Sequence, residues 1–322
     1  MMPDLVSIVI VCHNNWPDLE LAIQSALHQS YRPVEVIVVD NSSTDATADE
    51  VSRRFGGEVQ YTRQPNVGDG GGYNTGMRAA QGEFVQFLDG DDFLAANKIE
   101  KQMETFRSDS SADIVYGDMR YFQSLPGIVQ DWKDEDLRDY EDMLAVLVSP
   151  RSAYLSTEAM LYRRRALERV GDYDASLYVV DCDYWLRAAW AGCRFRYCPG
   201  SLAFHRIRPG QMSSDQTAML LGYEAVWSKA LRYITREPYR TAIRAHLARV
   251  QFVLSLGPYG LTTREALQKL SKARAISSET IHALAYALAS TVILLPGGRR
   301  LLRQQWIRSL RRWVARRTLK AQ

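Results

Sequence analysis

Short runs of β-branched and apolar residues alternate with stretches of helical spacing through the first third of the chain. Val6-Ser-Ile-Val-Ile-Val-Cys12 is apolar almost throughout, the pattern of a strand buried on both faces of a parallel sheet. Asp18–Gln29 follows with Leu19, Ala22, Ile23, Ala26 and Leu27 on one helical face. Glu35–Val39 predicts a second buried strand, and Thr44 and Asp45 can cap a helix over Ala46–Phe55. Gln60–Thr62 reads as a short strand. The glycines from Gly68 to Gly72 read as a flexible loop, with a helix from about Tyr73 to Ala80. Phe84–Leu88 is the next strand, and it ends in Asp89-Gly90-Asp91-Asp92. This alternation up to about residue 118 predicts an α/β fold with a mostly parallel sheet.

Beyond residue 120 the pattern is mixed. Asp131–Glu141 is a charged, exposed segment, Leu155–Tyr162 and Phe195–Phe204 are strand-like, and Asp183–Ala191 is helical. After Ser213 helical periodicity takes over, broken at Gly257-Pro258-Tyr259-Gly260 and Pro296-Gly297-Gly298. The expected division is a domain over 1–215 and a helical C-terminal extension over 216–322.

Charge changes this picture at one end. The 322 residues carry 40 Lys or Arg and 37 Asp or Glu, yet nine of the basic residues and no acidic one lie from Arg299 to Gln322. The body is therefore mildly acidic and the tail strongly basic. On a helical wheel Leu302, Trp306, Leu310 and Trp313 share an arc opposite Arg308, Arg311, Arg312 and Arg316. Such a helix suits an anionic membrane surface, or packs on the body with its arginines solvated. No other feature supports nucleic acid. The start of the chain lacks a signal-peptide pattern, and no apolar stretch reaches the roughly 18 residues of a spanning helix. Cys12, Cys182, Cys193 and Cys198 form no CxxC pair and read as free thiols. The expectation is a cytoplasmic body, peripheral on the inner face of the membrane if the tail binds lipid.

The candidate chemistry lies at predicted strand ends, where open α/β sheets bind ligands. His13-Asn14, Asp40-Asn41 and Asp89–Asp92 should converge on one crevice. The glycine cluster has no GxGxxG register and no GK[ST]. It leaves either a loop for close approach to a phosphate or sugar, or a plain tight connection. Asp89, Asp91 and Asp92 repel one another unless a cation is present. They read as a site for a hard divalent ion or as a solvated acidic turn. Asp181 and Asp183 open a helix, as caps or as a general base. His205–Gly210 is a basic turn, either a surface loop or a set of donors for a diphosphate.

Five blocks in order resemble family 2 glycosyltransferases: Ser7–Asn14; Ser25–Tyr31 with Glu35–Asp45; Asn66–Gly76 with Ala80–Gly82 and Phe87–Asp92; Asp181–Arg187 with Gly192; and Arg206–Ser213. The resemblance implies a GT-A fold, with a Rossmann-like nucleotide-binding half and a mixed central sheet. It implies an inverting, hexosyltransferase-like enzyme of cell-surface polysaccharide or glycolipid synthesis. A UDP- or dTDP-linked donor and a glycan or lipid-linked acceptor go with it. His13, Asn14, Asp40 and Asn41 would surround the nucleotide. Gly68, Asn74, Asp89, Gly90, Arg206 and Arg208 would line the rest of the donor site. Asp89 and Asp91 would form the DxD element that holds Mg2+ or Mn2+, and Asp181 would be the base, with Asp183 as fallback. Four positions depart from the family pattern: His13 replaces an aromatic, Tyr73 an Arg, Val180 a Glu, and Arg208 a His. A non-catalytic nucleotide-sugar-binding or scaffold protein on the same fold is the competing reading.

Overall fold

The computed structural model describes residues 2–124, 127–130, 138–149, 155–256 and 262–276. Within these, one compact unit takes 2–147 and 155–211, and a second takes 148–149 and 212–276. The basic tail and the apolar stretch before it lie outside the described residues.

In the first unit nine strands form one sheet. They are β1 (Met2–Cys12), β2 (Val34–Asn41), β3 (Gln60–Gln64), β4 (Gly82–Asp89), β5 (Phe93–Leu94), β6 (Ile114–Ser124), β7 (Gly127–Gln130), β8 (Met160–Arg163) and β9 (Phe195–Arg206). Their order is β3-β2-β1-β4-β8-β6-β9-β5, with β7 beside β6. The first four are mutually parallel, β8 runs antiparallel to both its neighbours, and β6 and β9 are parallel. The sheet is therefore mixed, with its parallel half first. Helices α1 (Asp18–Leu27), α2 (Thr47–Phe55), α3 (Gly68–Ala79), α4 (Lys98–Ser108), α5 (Met143–Leu147), α6 (Arg164–Val170) and α7 (Val180–Trp190) belong to this unit.

Both faces of β1 are covered, which is why its sequence is apolar without alternation. Ile8, Ile10 and Cys12 join Leu19, Ala22, Ile23 and Ala26 of α1 in one buried cluster. Val9 and Val11, on the opposite face, meet α3. There the structure departs from the expected loop, because α3 begins at Gly68 and the glycines are its first turns. Close packing explains them. A Cβ on Gly72 would stand 2.5 Å from Val11 Cγ1, and one on Gly76 2.1 Å from Val9 Cγ1. Glycine lowers helix propensity by about 1 kcal/mol per residue, and here it lets the helix backbone lie directly on β1.

The second unit contains α8 (Gln216–Tyr233), α9 (Tyr239–Leu256) and α10 (Thr263–Ile276), as the helical spacing predicts. Asp215 caps α8 by accepting from the backbone N–H of Thr217 and Ala218, both at 3.0 Å. Trp227 of α8 stacks on His246 of α9 with ring centroids 4.7 Å apart. No helix among the described residues is long and apolar enough to cross a membrane.

Candidate functional site

Strand register brings the polar ends together. Cys12 pairs with Asp40, and Val11 with Asp89, so β1, β2 and β4 end level with one another. The turn after β4 folds back on β1, with the Gly90 N–H donating to Val11 O at 2.8 Å. A Cβ on Gly90 would lie 2.8 Å from Cys12 Cβ, so only glycine lets the acidic turn sit this close.

On the β1–β2 side the side chains build a fixed ledge. The His13 imidazole is exposed, and its Nδ1 donates to Asn41 O at 2.7 Å. A carbonyl can only accept, so the proton is on Nδ1 and Nε2 accepts from Asn14 Nδ2 at 3.2 Å. Asn14 has φ +53, which Asn tolerates, and its Oδ1 accepts from Thr44 N at 2.7 Å. Asp40 is fully buried and accepts from Ser43 N at 2.7 Å and from the Tyr61 hydroxyl at 2.5 Å. Asn41 donates to Gly68 O and accepts from Gln64 Nε2. Asp40 and Asn41 thus hold the turn after β2 and the start of α3, while His13 presents the open surface.

The three acids of the turn, and Asp69 beside them, sit in distinct environments. Asp89 Oδ1 accepts from the Tyr73 hydroxyl at 2.5 Å. Burial, then the charges of Glu158, Asp69 and Asp91, push its carboxyl well above the usual range, against the Tyr73 hydrogen bond. Asp91 forms an ion pair with Arg208, Nε to Oδ2 at 2.9 Å. Asp92 is fully buried, its Oδ2 2.9 Å from His205 Nδ1 and its Oδ1 accepting from Arg206 N at 2.8 Å. Asp69, in the first turn of α3, is raised by burial and by Asp91. The Arg206 guanidinium donates to Asp91 O at 3.0 Å, pairs with Asp18 at 3.3 Å and lies over Phe122, 4.5 Å from the ring centroid. Thus the end of β9 and the turn after it deliver two guanidinium groups to the acidic turn.

Asp181 approaches from α7. It lies in the first turn, where Cys182 N donates to its Oδ1 at 2.7 Å, and burial raises its carboxyl above the usual value. The start of α7 is tied to α3. Asn74 donates to Tyr173 O at 2.9 Å and accepts from Tyr173 N at 2.7 Å. A Cβ on Gly70 would meet Val180 Cγ1 at 3.1 Å. Val180 therefore packs against the glycine face of α3, which accounts for an apolar residue before Asp181. Asp183 is buried and paired with Arg187 at 2.8 Å, a structural role.

Asp89, Asp91, Arg206 and Arg208 meet at one turn. His13 and Asn14 form the adjacent ledge, while Asp40, Asn41, Gly68, Asn74 and Gly90 act from behind through packing and hydrogen bonds. Mutual repulsion among Asp69, Asp89 and Asp91 is what a divalent cation relieves, and Asp91 with Asp89 supplies hard oxygen donors for one. A second set, Asp92, Glu158 and His205, brings ligand-type atoms within 4.8 Å of one another. The sequence reading singled out neither Asp69 nor Glu158. Asp69 carries a cue, an acid in the first turn of a helix, hidden there by the loop reading; Glu158 follows Ser156-Thr157 in an apolar stretch with no signal of its own.

The glycosyl transferase family 2 profile matches residues 7–171, just over half of the chain. An uncharacterized glycosyltransferase of Nostoc sp. is 29% identical over 220 residues, which cover 63% of this chain and 64% of that protein. The chain thus spans slightly under two thirds of that relative. Chondroitin synthase of Escherichia coli is 26% identical over 213 residues, 65% of this chain and 30% of that one. The structure of S. aureus TarS 1–349 in complex with UDP-GlcNAc matches with a TM-score of 0.67 at 18% identity, over 94% of this chain and 92% of that one. Mannosyltransferase PcManGT from Pyrobaculum calidifontis, in complex with GDP-Man and Mn2+, matches with a TM-score of 0.58 at 19% identity, over 94% and 84%. The mixed sheet with its flanking helices is the GT-A fold of these enzymes, and the chain belongs to glycosyl transferase family 2.

Proposed function

We propose that this chain is a metal-dependent inverting glycosyltransferase, moving a sugar from a UDP- or dTDP-linked donor to a glycan or lipid-linked acceptor hydroxyl. The observation that carries the reading is the meeting of Asp91, Asp89, Arg206 and Arg208 at one turn, with Asp181 entering from α7. The TarS and PcManGT likenesses support a nucleotide-sugar donor and a divalent ion.

In this reading the His13 ring stacks against the nucleotide base, with the turn that Asp40 holds beside it. Asp91 and Asp89 hold Mg2+ or Mn2+, which would neutralise charge on the diphosphate. Asp181 accepts the proton of the acceptor hydroxyl, whose oxygen attacks the anomeric carbon from the face opposite the leaving group. The carbon–oxygen bond to the diphosphate breaks, and Arg206 and Arg208 stabilise the charge that develops on the departing oxygen. One displacement inverts the anomeric configuration. The raised carboxyl of Asp181 suits a base, because a stronger base takes the proton more readily.

Residues 216–322 form the proposed helical extension, and the basic segment 299–322 a contact with an anionic membrane surface at the cytoplasmic face. Cell-surface polysaccharide or glycolipid synthesis is the process this arrangement suits. The Arg208–Asp91 pair gives one ground for the competing reading, a binding protein without catalysis, because it occupies a proposed metal ligand. Transfer or hydrolysis of a UDP- or dTDP-sugar that requires Mn2+ and is lost in Asp91→Ala separates the two. A wild type that binds UDP yet turns over no donor would favour the binding protein.

A further inference from the structure

Behind the acidic turn, two acidic side chains are closed off from solvent beside a half-buried histidine. Asp92 is fully buried, Glu158 is 5% exposed, and the His205 side chain is 24% exposed. Asp92 spends one oxygen on His205 Nδ1 and the other on the backbone N–H of Arg206. Glu158 completes the set: one of its carboxylate oxygens lies within 4.8 Å of the ligand-type atoms of Asp92 and His205, and it accepts from the Ser156 hydroxyl. Its own backbone carbonyl accepts from Gln86 of β4 at 3.0 Å. The three residues come from the turn after β4, the segment before β8 and the end of β9. Burying such groups is expensive, and an apolar set of the same volume often gives a more stable core.

We propose that Glu158, Asp92 and His205 act as one positioning unit that fixes the arginine turn of β9 against the acidic turn after β4. The geometry is direct. Asp92 holds Arg206 by its main chain, and the Asp91 carbonyl holds the same residue by its guanidinium. Arg208, two residues on, then reaches Asp91. The spacing between the two guanidinium groups and the Asp91 carboxylate therefore depends on Asp92 staying where Glu158 and His205 keep it.

The inference rests on the transferase reading, so wild type is assayed first with a UDP- or dTDP-sugar and Mn2+. Glu158→Leu, similar in volume but without hydrogen bonds, should lower kcat/KM for the donor about 10- to 100-fold, as misplaced catalytic groups do. Glu158→Gln, which keeps a hydrogen-bonding side chain of the same length, should recover most of it. Glu158→Leu added to Arg208→Ala should cost less than about 3-fold more, because the brace acts through the arginines. If Glu158→Leu does not fold, His205→Gln replaces it in the same cycle. Full activity in the Leu variant, losses that multiply in the double variant, or a metal bound by Asp91→Ala and released by Glu158→Gln would each overturn the proposal. A wild type silent toward every donor would instead sink the transferase reading, and the brace with it.

Discussion

The Nε of Arg208 lies 2.9 Å from Oδ2 of Asp91, a fixed cation on the carboxylate proposed to bind a divalent ion. Arginine neither deprotonates nor coordinates a metal. On the proposed function, ion and guanidinium would compete for Asp91, and Arg208 would have to turn toward the diphosphate when the donor binds. Arg208→Ala should lower the Mn2+ concentration needed for half-maximal rate. It should also reduce kcat about 10- to 100-fold through the lost leaving-group contact. Initial rates across a Mn2+ titration check both effects, and an unmoved midpoint would mean no competition.

Asp181 gives a prediction in kcat and pH together. A base must be ionised to work, and burial raises this carboxyl above the ordinary 3.8. The acid limb of kcat should lie at higher pH than an unperturbed aspartate gives, with activity lost as pH falls through it. Asp181→Asn should lower kcat about 10²- to 10⁴-fold with little change in donor KM. A pH–rate profile of both proteins is the measurement.

The parallel half of the sheet was legible because its strands are buried on both faces and end in polar turns. Asp89 and Asp91 could be read as a pair because they are two residues apart where one strand ends and its turn begins. The brace could not be read, since Asp92, Glu158 and His205 are far apart in sequence and nothing in the local pattern of any one names the others. The glycines of α3 misled for a physical reason. Their local preference is for a loop, and only the closeness of Val9 and Val11 shows why the chain accepts helix there. Val180 was likewise opaque until its contact with the Gly70 turn was visible.

The contributions of Glu158 and His205 to stability should fall as pH rises in metal-free buffer. Glu158 is raised from 4.5 to about 8 and His205 from 6.5 to about 10, so over this span the folded chain holds protons that the unfolded chain has released. The His205 contribution is complete below pH 6.5 and is lost as pH climbs through about 10. The folded state is increasingly penalised at Glu158 between 4.5 and about 8. Lys98, lowered from 10.5 to about 7 by burial, works the other way above pH 7. The check is therefore the difference between wild type and Glu158→Gln. Wild-type Tm should fall relative to the variant between pH 5 and 8, and a difference that does not change with pH would contradict the Glu158 shift.

Gly76→Ala should destabilise the chain even though alanine is the better helix former. Its Cβ would sit 2.1 Å from Val9 Cγ1, and overpacking of this kind costs about 1–3 kcal/mol against a helix-propensity gain of about 1 kcal/mol. Val9→Ala in the same chain removes the colliding methyls and should restore part of the loss. Urea midpoints of the two single variants and the double variant test this.

Asn74 offers both its amide groups to the main chain of Tyr173, donor to acceptor and acceptor to donor. In this it behaves like a single rung of β-ladder made by a side chain. The rung indexes the segment leading to Asp181 against α3, with no strand between them. If Asp181 is the base, as proposed, that rung would set its height above the acidic turn, and one amide would do the work of a strand pair.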